Sequence, residues 1–339
     1  MTGLWNFYDL IEECRDCSKS LLLGNGFSIS CNRIFQYEDL FNESKLPNNI
    51  KNLFNGSSDY EKVIEYLNKR KEMHQANDEY EFVQIIEDWI YKIKWDLIST
   101  ITEIHSRVKP NKKDMHNTFL FLSNFSNIFT LNYDLLLYWV VVYAIKLKEK
   151  NLQTYKECIK NKRFYPSDGF NRRDGEEDCI WVPYRWEQNI YYLHGGLHLF
   201  CDTENTYKLS YNVNNNQTII NKTKYWLEQG SSPLIITEGN SRDKLKWIKQ
   251  SEYLNDCYQQ LGLIKDVLFI HGHSLDEKDK HIFKAISANP NINAVYISIF
   301  APVTNEETIR QKAYDLFAER INDKSLIIDF YNAQSVALW

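Results

Sequence analysis

The chain has 339 residues, 43% hydrophobic and 25% charged, with a net charge of −5 and a pI near 6.0. That is enough apolar material for one large domain or two ordinary ones, and the acidic balance argues against direct nucleic-acid binding as its main business. Seven scattered cysteines, with Cys14 and Cys17 forming the one Cys-x-x-Cys pair, read as reduced cytosolic thiols rather than a disulfide framework. Asp9, Glu12 and Glu13 stand where a signal peptide would be basic and then apolar. The longest apolar run, 135–145, falls well short of the roughly 20 residues a bilayer requires. A cytoplasmic protein with no membrane partner is expected.

In chain order, 4–19 predicts a short amphipathic helix leading into a strand at 20–23. That strand ends in Gly24-Asn25-Gly26 and passes into Phe27-Ser28-Ile29-Ser30, the first turn of a helix. Glycines there let the backbone turn tightly and approach a ligand, and free amides at a helix N-terminus suit a phosphate. The plainer reading of Gly-x-Gly at a strand end is a turn. From 42 to 110 the chain is charged and helical, with apolar residues at Val63, Tyr66 and Leu67 and at Phe82, Ile85, Ile86, Trp89 and Ile90. This is the spacing of one-faced helices, so the block is expected to be an inserted helical subdomain. Residues 1–41 and 111–339 then form the main domain, and Lys69-Arg70-Lys71-Glu72 reads as a solvated face.

Alternation of strand and helix then resumes. A helix at 115–125 precedes a strand at 127–131, which ends in Asn132-Tyr133-Asp134 and is followed by an apolar helix over 135–147. Residues 150–188 read as a polar, irregular excursion. A strand at 190–193 ends in His194-Gly195-Gly196, with a second strand at 197–200 and a hairpin arm around 207–211. After a helix near 219–228 come a strand at 233–237, a helix at 243–262 and a strand at 266–270 ending in His271-Gly272-His273-Ser274. The helix 277–288, the strand 294–300, the helix 305–321 and the strand 326–331 complete the chain. Short aliphatic strands alternating with helices predict an α/β protein with a Rossmann-like, mostly parallel sheet and helices on both faces. Ligands bind such sheets at the carboxyl ends of the strands, and parallel strands would bring all four polar strand ends to one rim.

The segments Gly24-Asn25-Gly26-Phe27-Ser28, Thr130-Leu131-Asn132-Tyr133-Asp134, Leu193-His194-Gly195 and Gly272-His273-Ser274 resemble, in that order, the NAD-binding fold of the sirtuins. The resemblance leaves out the helical block and the 150–188 excursion. It implies that Gly24, Asn25, Gly26, Phe27 and Ser28 cradle the diphosphate of NAD+. Asn132 would hold the nicotinamide ribose and a water, and Asp134 the nicotinamide carboxamide. His194 would hydrogen-bond the ribose hydroxyls and act as a base, while Gly272, His273 and Ser274 contact the adenosine end or its phosphate. Deacylating sirtuins carry two Cys-x-x-Cys pairs soon after Leu-His-Gly, whereas here Cys201 stands alone until Cys257. The family's Pro-Asp-Phe-Arg is also missing, with Cys31-Asn32-Arg33-Ile34-Phe35 in its place.

What remains is similar to the divergent bacterial sirtuin-like proteins that hydrolyse NAD+ in anti-phage defence. The resemblance implies an NADase releasing nicotinamide and ADP-ribose, a homo-oligomer held in check by a sensor protein encoded nearby, of ATPase/translocase or nucleotide-sensing type. The rival expectations are a non-catalytic NAD or ADP-ribose sensor and an ADP-ribosyltransferase.

Cleavage of the nicotinamide–ribose bond passes through an oxocarbenium-like state, for which strained binding, ribose contacts and a placed water suffice. An Asn and a neutral His suit that work. His271 and His273 flank Gly272, but no carboxylate or cysteine stands at ligand spacing, so no metal is expected. The plainer readings are a core role for His194 and helix capping for Asn132 and Asp134. Tyr331-Asn332 is a candidate for the adenine side, and Glu238, at a strand end, has no assigned role.

Overall fold

The computed structural model describes residues 3–149, 153, 166–172, 178–183, 187–210, 218–301 and 305–339. Its strands are β1 (Lys19–Leu23), β2 (Asn127–Thr130), β3 (Phe170–Arg172), β4 (Cys179–Trp181), β5 (Ile190–Tyr192), β6 (Leu199–Cys201), β7 (Thr206–Lys208), β8 (Asp266–His271), β9 (Ile292–Ile299) and β10 (Ile327–Asn332). Six of them form one sheet in the order β10-β9-β8-β1-β2-β5, and every pairing in it is parallel. Renumbered within the sheet, that order is 3-2-1-4-5-6 read from β5, the order of dinucleotide-binding α/β folds. Leu21, Leu22 and Leu23 are all fully buried, as a central parallel strand covered on both faces requires.

Helices α1 (Phe7–Glu13), α2 (Gly26–Cys31), α3 (Tyr37–Glu43), α4 (Asn48–Lys51), α5 (Tyr60–Ala76), α6 (Tyr80–Arg107), α7 (Lys112–Leu122) and α8 (Leu136–Glu149) belong to the first half. The second half holds α9 (Ile219–Glu228), α10 (Ser241–Gln250), α11 (Glu252–Gln259), α12 (Lys280–Ser287), α13 (Glu306–Leu316) and α14 (Ala318–Asn322). They flank the sheet on both faces. Against one face, Phe7 of α1 meets Phe121 at 5.2 Å, Phe125 at 6.3 Å, Phe269 at 5.8 Å and Tyr331 at 5.7 Å between ring centroids. These tilted and edge-on contacts are the favoured geometry for aromatic quadrupoles.

Between β1 and β2 the chain is helical without a strand, and α5 and α6 pack as a hairpin. His105, near the end of α6, ties that hairpin to the sheet domain. The amide of Leu135 donates to its Nε2 at 3.0 Å, and its ring lies 5.2 Å from Phe35 and 5.0 Å from Trp139. Among the described residues no helix is long and apolar enough to cross a membrane.

Several boundaries differ from the sequence expectation. Residues 233–237 do not enter the sheet; Ile235 makes only an isolated antiparallel bridge with Gly195. Pro233 has no amide for a ladder, and the place beside β1 goes to the longer β8. The 150–188 stretch supplies β3 and β4, which join β7 and β6 in a small antiparallel sheet of order β3-β4-β7-β6. Three-residue strands leave too little alternation to be read. That sheet surrounds a buried ion pair, Lys208 Nζ to Asp168 at 2.6 and 2.7 Å, with the ammonium 5.2 Å over the Phe170 ring. The helix expected at 243–262 breaks at Ser251, whose hydroxyl accepts from the Leu254 amide and caps α11.

Buried imidazoles make the fold acid-sensitive, among them His105, His271 and His281. Burial lowers His105 to about 3, His271 to about 4 and His281 to about 4, all below the unfolded value of about 6.5. Between pH 6.5 and 4 the unfolded chain therefore binds protons that the native chain refuses. Stability is full above that window and falls as the pH drops through it, by up to about 1.4 kcal/mol per pH unit for each such histidine. In urea denaturation followed from pH 7 to 5, His105→Asn should be less stable at pH 7 but lose stability less steeply. Equal slopes in the two proteins would mean that His105 titrates normally in the folded chain.

Candidate active site

Register places the four polar strand ends at one level. Leu23 pairs with Thr130 on one side and with His271 on the other, and Thr130 pairs with Tyr192. The ladder runs one step further, through Leu131 N to Leu23 O at 3.0 Å and Leu193 N to Thr130 O at 2.9 Å. Gly24, Asn132, His194 and Gly272 thus leave four adjacent strands on the same rim, at the switch point where ligands bind in sheets of this order.

The glycines serve first to let the loops after β1 and β8 touch. A Cβ on Gly24 would lie 2.7 Å from the Gly272 carbonyl oxygen, and one on Gly26 2.6 Å from the Gly272 Cα. Gly272 itself has φ +72°, a left-handed conformation that suits glycine. The Gly24 amide donates to His271 O at 2.9 Å and the Gly26 amide to Gly272 O at 2.7 Å, so both are occupied by the neighbouring loop. Asn25 spans to the following turn, its Nδ2 donating to Phe35 O at 3.1 Å. Phe27 is buried, with its ring 5.0 Å from that of Trp339.

Ser28, Asn132 and Asp134 form a closed polar set beneath this turn. The Ser28 hydroxyl donates to Asp134 Oδ2, and Asn132 Nδ2 donates to Ser28 Oγ and Gly24 O, each at 3.0 Å. The other Asp134 oxygen accepts from the Leu136 amide at 2.8 Å, so this carboxylate caps α8 as well. Burial raises the Asp134 carboxyl, and the Ser28 bond pulls partly against it. Among the described residues no protein group donates to Asn132 Oδ1.

His194 belongs to a second cluster, which sequence inspection missed. It is 2% exposed, and its Nε2 is enclosed without a hydrogen-bond partner. Asp279 Oδ1 lies 3.8 Å from that nitrogen, and the His281 ring stacks at 5.6 Å and 20°. Asp279 is gripped by Lys244 Nζ at 2.9 Å and by His273 Nε2 at 3.1 Å. Lys244, 1% exposed, also reaches Glu61 Oε2 at 3.0 Å, and Lys278 bonds Asp59, so α5 of the inserted hairpin contributes carboxylates to the rim. Lys94 of α6 pairs with Glu238, giving that acid a tethering role.

Burial first, then the Lys244 ammonium, pushes His194 well below the usual histidine value and keeps it neutral. Burial would lift Asp279, but Lys244 and the His273 bond outweigh it and hold the carboxyl well below the usual range. Burial leaves Glu61 raised despite Lys244. For Lys244, the two carboxylates overcome burial and hold the ammonium above its usual value.

His273 joins the two clusters, following Gly272 and bonding Asp279. Ser274 stands apart, exposed, with its carbonyl accepting from Lys312 at 3.1 Å. Tyr331 is a core residue, not a rim residue, fully buried with its hydroxyl 3.0 Å from His271 Nδ1. Asn332 caps the following turn through the Gln334 amide. Among the described residues no group of three His, Cys, Asp or Glu could hold a metal ion. Lys244 gave one sequence signal, in that it shares the buried face of α10 with Ile248 four residues on. Asp279 lies within the charged run 276–280 and gave none.

The fold and rim define a Rossmann-like α/β protein with a buried polar site at the switch point and an all-helical insertion between its first two sheet strands. Residues 21–339 match the family described as domain of unknown function DUF4917, and the chain belongs to that family. Comparison with curated proteins gives no match.

Lys244→Met removes the cation bonded to both Glu61 and Asp279 and leaves these buried carboxylates short of a counter-charge. The loss should be about 3–5 kcal/mol at pH 7 and should shrink toward pH 5 as a carboxyl takes up a proton. A loss below about 1 kcal/mol in urea denaturation would show that the cluster is solvated rather than buried.

Proposed function

We propose that the protein hydrolyses NAD+ at the nicotinamide–ribose bond, releasing nicotinamide and ADP-ribose. The observation that supports this reading is the shared rim level of Asn132 and His194, beside the glycine turn at the switch point of a 3-2-1-4-5-6 sheet. Asn132 has an unclaimed amide oxygen to hold a ribose hydroxyl or a water. His194 is a neutral imidazole able to accept a proton as the ribose hydroxyl or water ionises. Exclusion of solvent strengthens each of these contacts in an oxocarbenium-like transition state. In this reading the diphosphate lies along the turn from Gly24 to Ser28, and the adenosine end or its phosphate meets the loop that begins at Gly272. Because the Gly24 and Gly26 amides already serve the β8 loop, that loop opens or the phosphates use other donors.

The likeness of the four motifs to sirtuin-like defence effectors supports a role in NAD+ depletion during phage infection. An NADase active at all times would poison its own cell, so a sensor partner and an oligomeric switch belong to the same reading. The burial of Asn132 and His194, 9% and 2% exposed, favours a second reading, a binding module that closes on NAD+ or ADP-ribose without cleaving it.

Incubation of the purified chain with NAD+, alone and with its genomic neighbours, separates these. Free nicotinamide with ADP-ribose supports hydrolysis, a labelled macromolecule supports transfer, and intact NAD+ with measurable binding supports the module. His194→Ala and Asn132→Ala should each lower turnover by at least about 100-fold with unchanged circular dichroism, in line with loss of a general base or a substrate-placing group. Near-normal turnover in either variant would refute the site assignment.

A further inference from the structure

We infer that Asp279 is a positioning residue for His194, keeping the proton on Nε2 so that Nδ1 is the nitrogen offered to the substrate. A neutral imidazole carries one proton, and the group each nitrogen faces decides where it sits. Nε2 is enclosed and faces Asp279 Oδ1 at 3.8 Å. An N–H directed at a carboxylate is attracted, whereas a lone pair directed at it is repelled. The separation is longer than a hydrogen bond and closes to one with a small ring movement once His194 becomes cationic.

Asp279 is itself fixed for this task. Lys244 holds Oδ1 at 2.9 Å, and His273 Nε2 meets Oδ2 at 3.1 Å. The tautomer of His273 is set by the same logic, because its Nδ1 accepts from the Leu275 amide at 2.8 Å and its proton must lie on Nε2, toward Asp279. The His281 ring, stacked at 5.6 Å, limits rotation of the His194 plane. Neither ring nitrogen of His194 bonds a protein group among the described residues, so with Nε2 enclosed against Asp279 the other nitrogen is left for a ligand.

In the NAD+-cleaving reading, on which the catalytic part of this inference rests, Nδ1 takes the proton of the ribose hydroxyl or the attacking water. The imidazolium so formed is stabilised through Nε2–H by the Asp279 carboxylate, and the proton passes to solvent as ADP-ribose leaves. Asp279 stays ionised throughout. The titratable groups facing His194 are Lys244 of α10, Asp279, His281 of α12 and His273 of the β8 loop, so a change of pH dependence in an Asp279 variant is read against all four.

Long-range proton–nitrogen spectra of the full chain labelled with 15N-histidine test this without any assay of turnover. The His194 signals are identified by their loss in His194→Gln. At pH 7 the wild-type ring should be the neutral Nε2–H tautomer, unchanged in Asp279→Glu and shifted toward Nδ1–H in Asp279→Asn. A wild-type Nδ1–H tautomer overturns the inference, whether or not Asp279→Asn folds. An unchanged tautomer in a folded Asp279→Asn protein also overturns it.

If the wild-type chain cleaves NAD+, Asp279→Asn should lower kcat by about 10- to 100-fold with little change in KM, and Asp279→Glu should restore most of it. It should also move the limb of the pH profile that reports His194. If the chain shows the expected tautomer but leaves NAD+ intact, the NAD+-cleaving reading fails while the positioning role of Asp279 stands.

Discussion

The rest of the structure depends on β1 having parallel partners on both sides. To its left the chain reaches β2 and β5 through the helical insertion; to its right it returns as β8, β9 and β10. That reversal leaves two loops side by side at the end of β1, and their backbones meet at distances no Cβ would allow. The glycines at 24, 26 and 272 are therefore first a solution to a packing problem. The candidate site and the packing constraint share the same atoms, as switch points allow, because a crevice exists only where neighbouring connections diverge.

Around that crevice the protein buries charge. Lys244 lies between Glu61 and Asp279, and moving such ions out of water costs several kcal/mol each unless they are paired and hydrogen-bonded. Apolar residues would fill the space more cheaply. A buried cation with two carboxylates beside an unpartnered neutral imidazole is the arrangement by which sites set protonation states, and it lies where the sheet order already directs a ligand. Glu61 also means that the inserted hairpin is part of this electrostatic unit rather than an appendage, with Lys94–Glu238 and Lys278–Asp59 as further ties.

Much of the fold was legible. Aliphatic runs such as 127–130 and 266–271, short and bounded by turn residues, read as buried strands, and the 3.6-residue spacing in 60–107 reads as helices. What escaped were β3 and β4 of the second sheet, whose three residues each carry no period, and the 233–237 segment, which is apolar enough for a strand but makes only an isolated bridge. The rim motifs at 24–28, 132–134, 194 and 272–273 could be found because glycine, asparagine and histidine after an aliphatic run break its pattern. Glu61 and Asp279 could not, and Lys244 gave only the face it shares with Ile248, since charged residues in a charged helical stretch look like solvated surface until another element covers them.

By itself, then, the sequence determined the class of fold, the alternation of its elements and the strand ends that bear polar groups, because local periodicity and glycine punctuation are encoded in neighbouring residues. The tertiary structure alone decided that those ends lie at one level, that the glycine amides are shared between two loops, and that the Asp279 carboxylate lies 3.8 Å from His194 Nε2. Register and the meeting of charges 183 residues apart, as in Lys244 with Glu61, arise from how the chain closes on itself, and no local pattern records them.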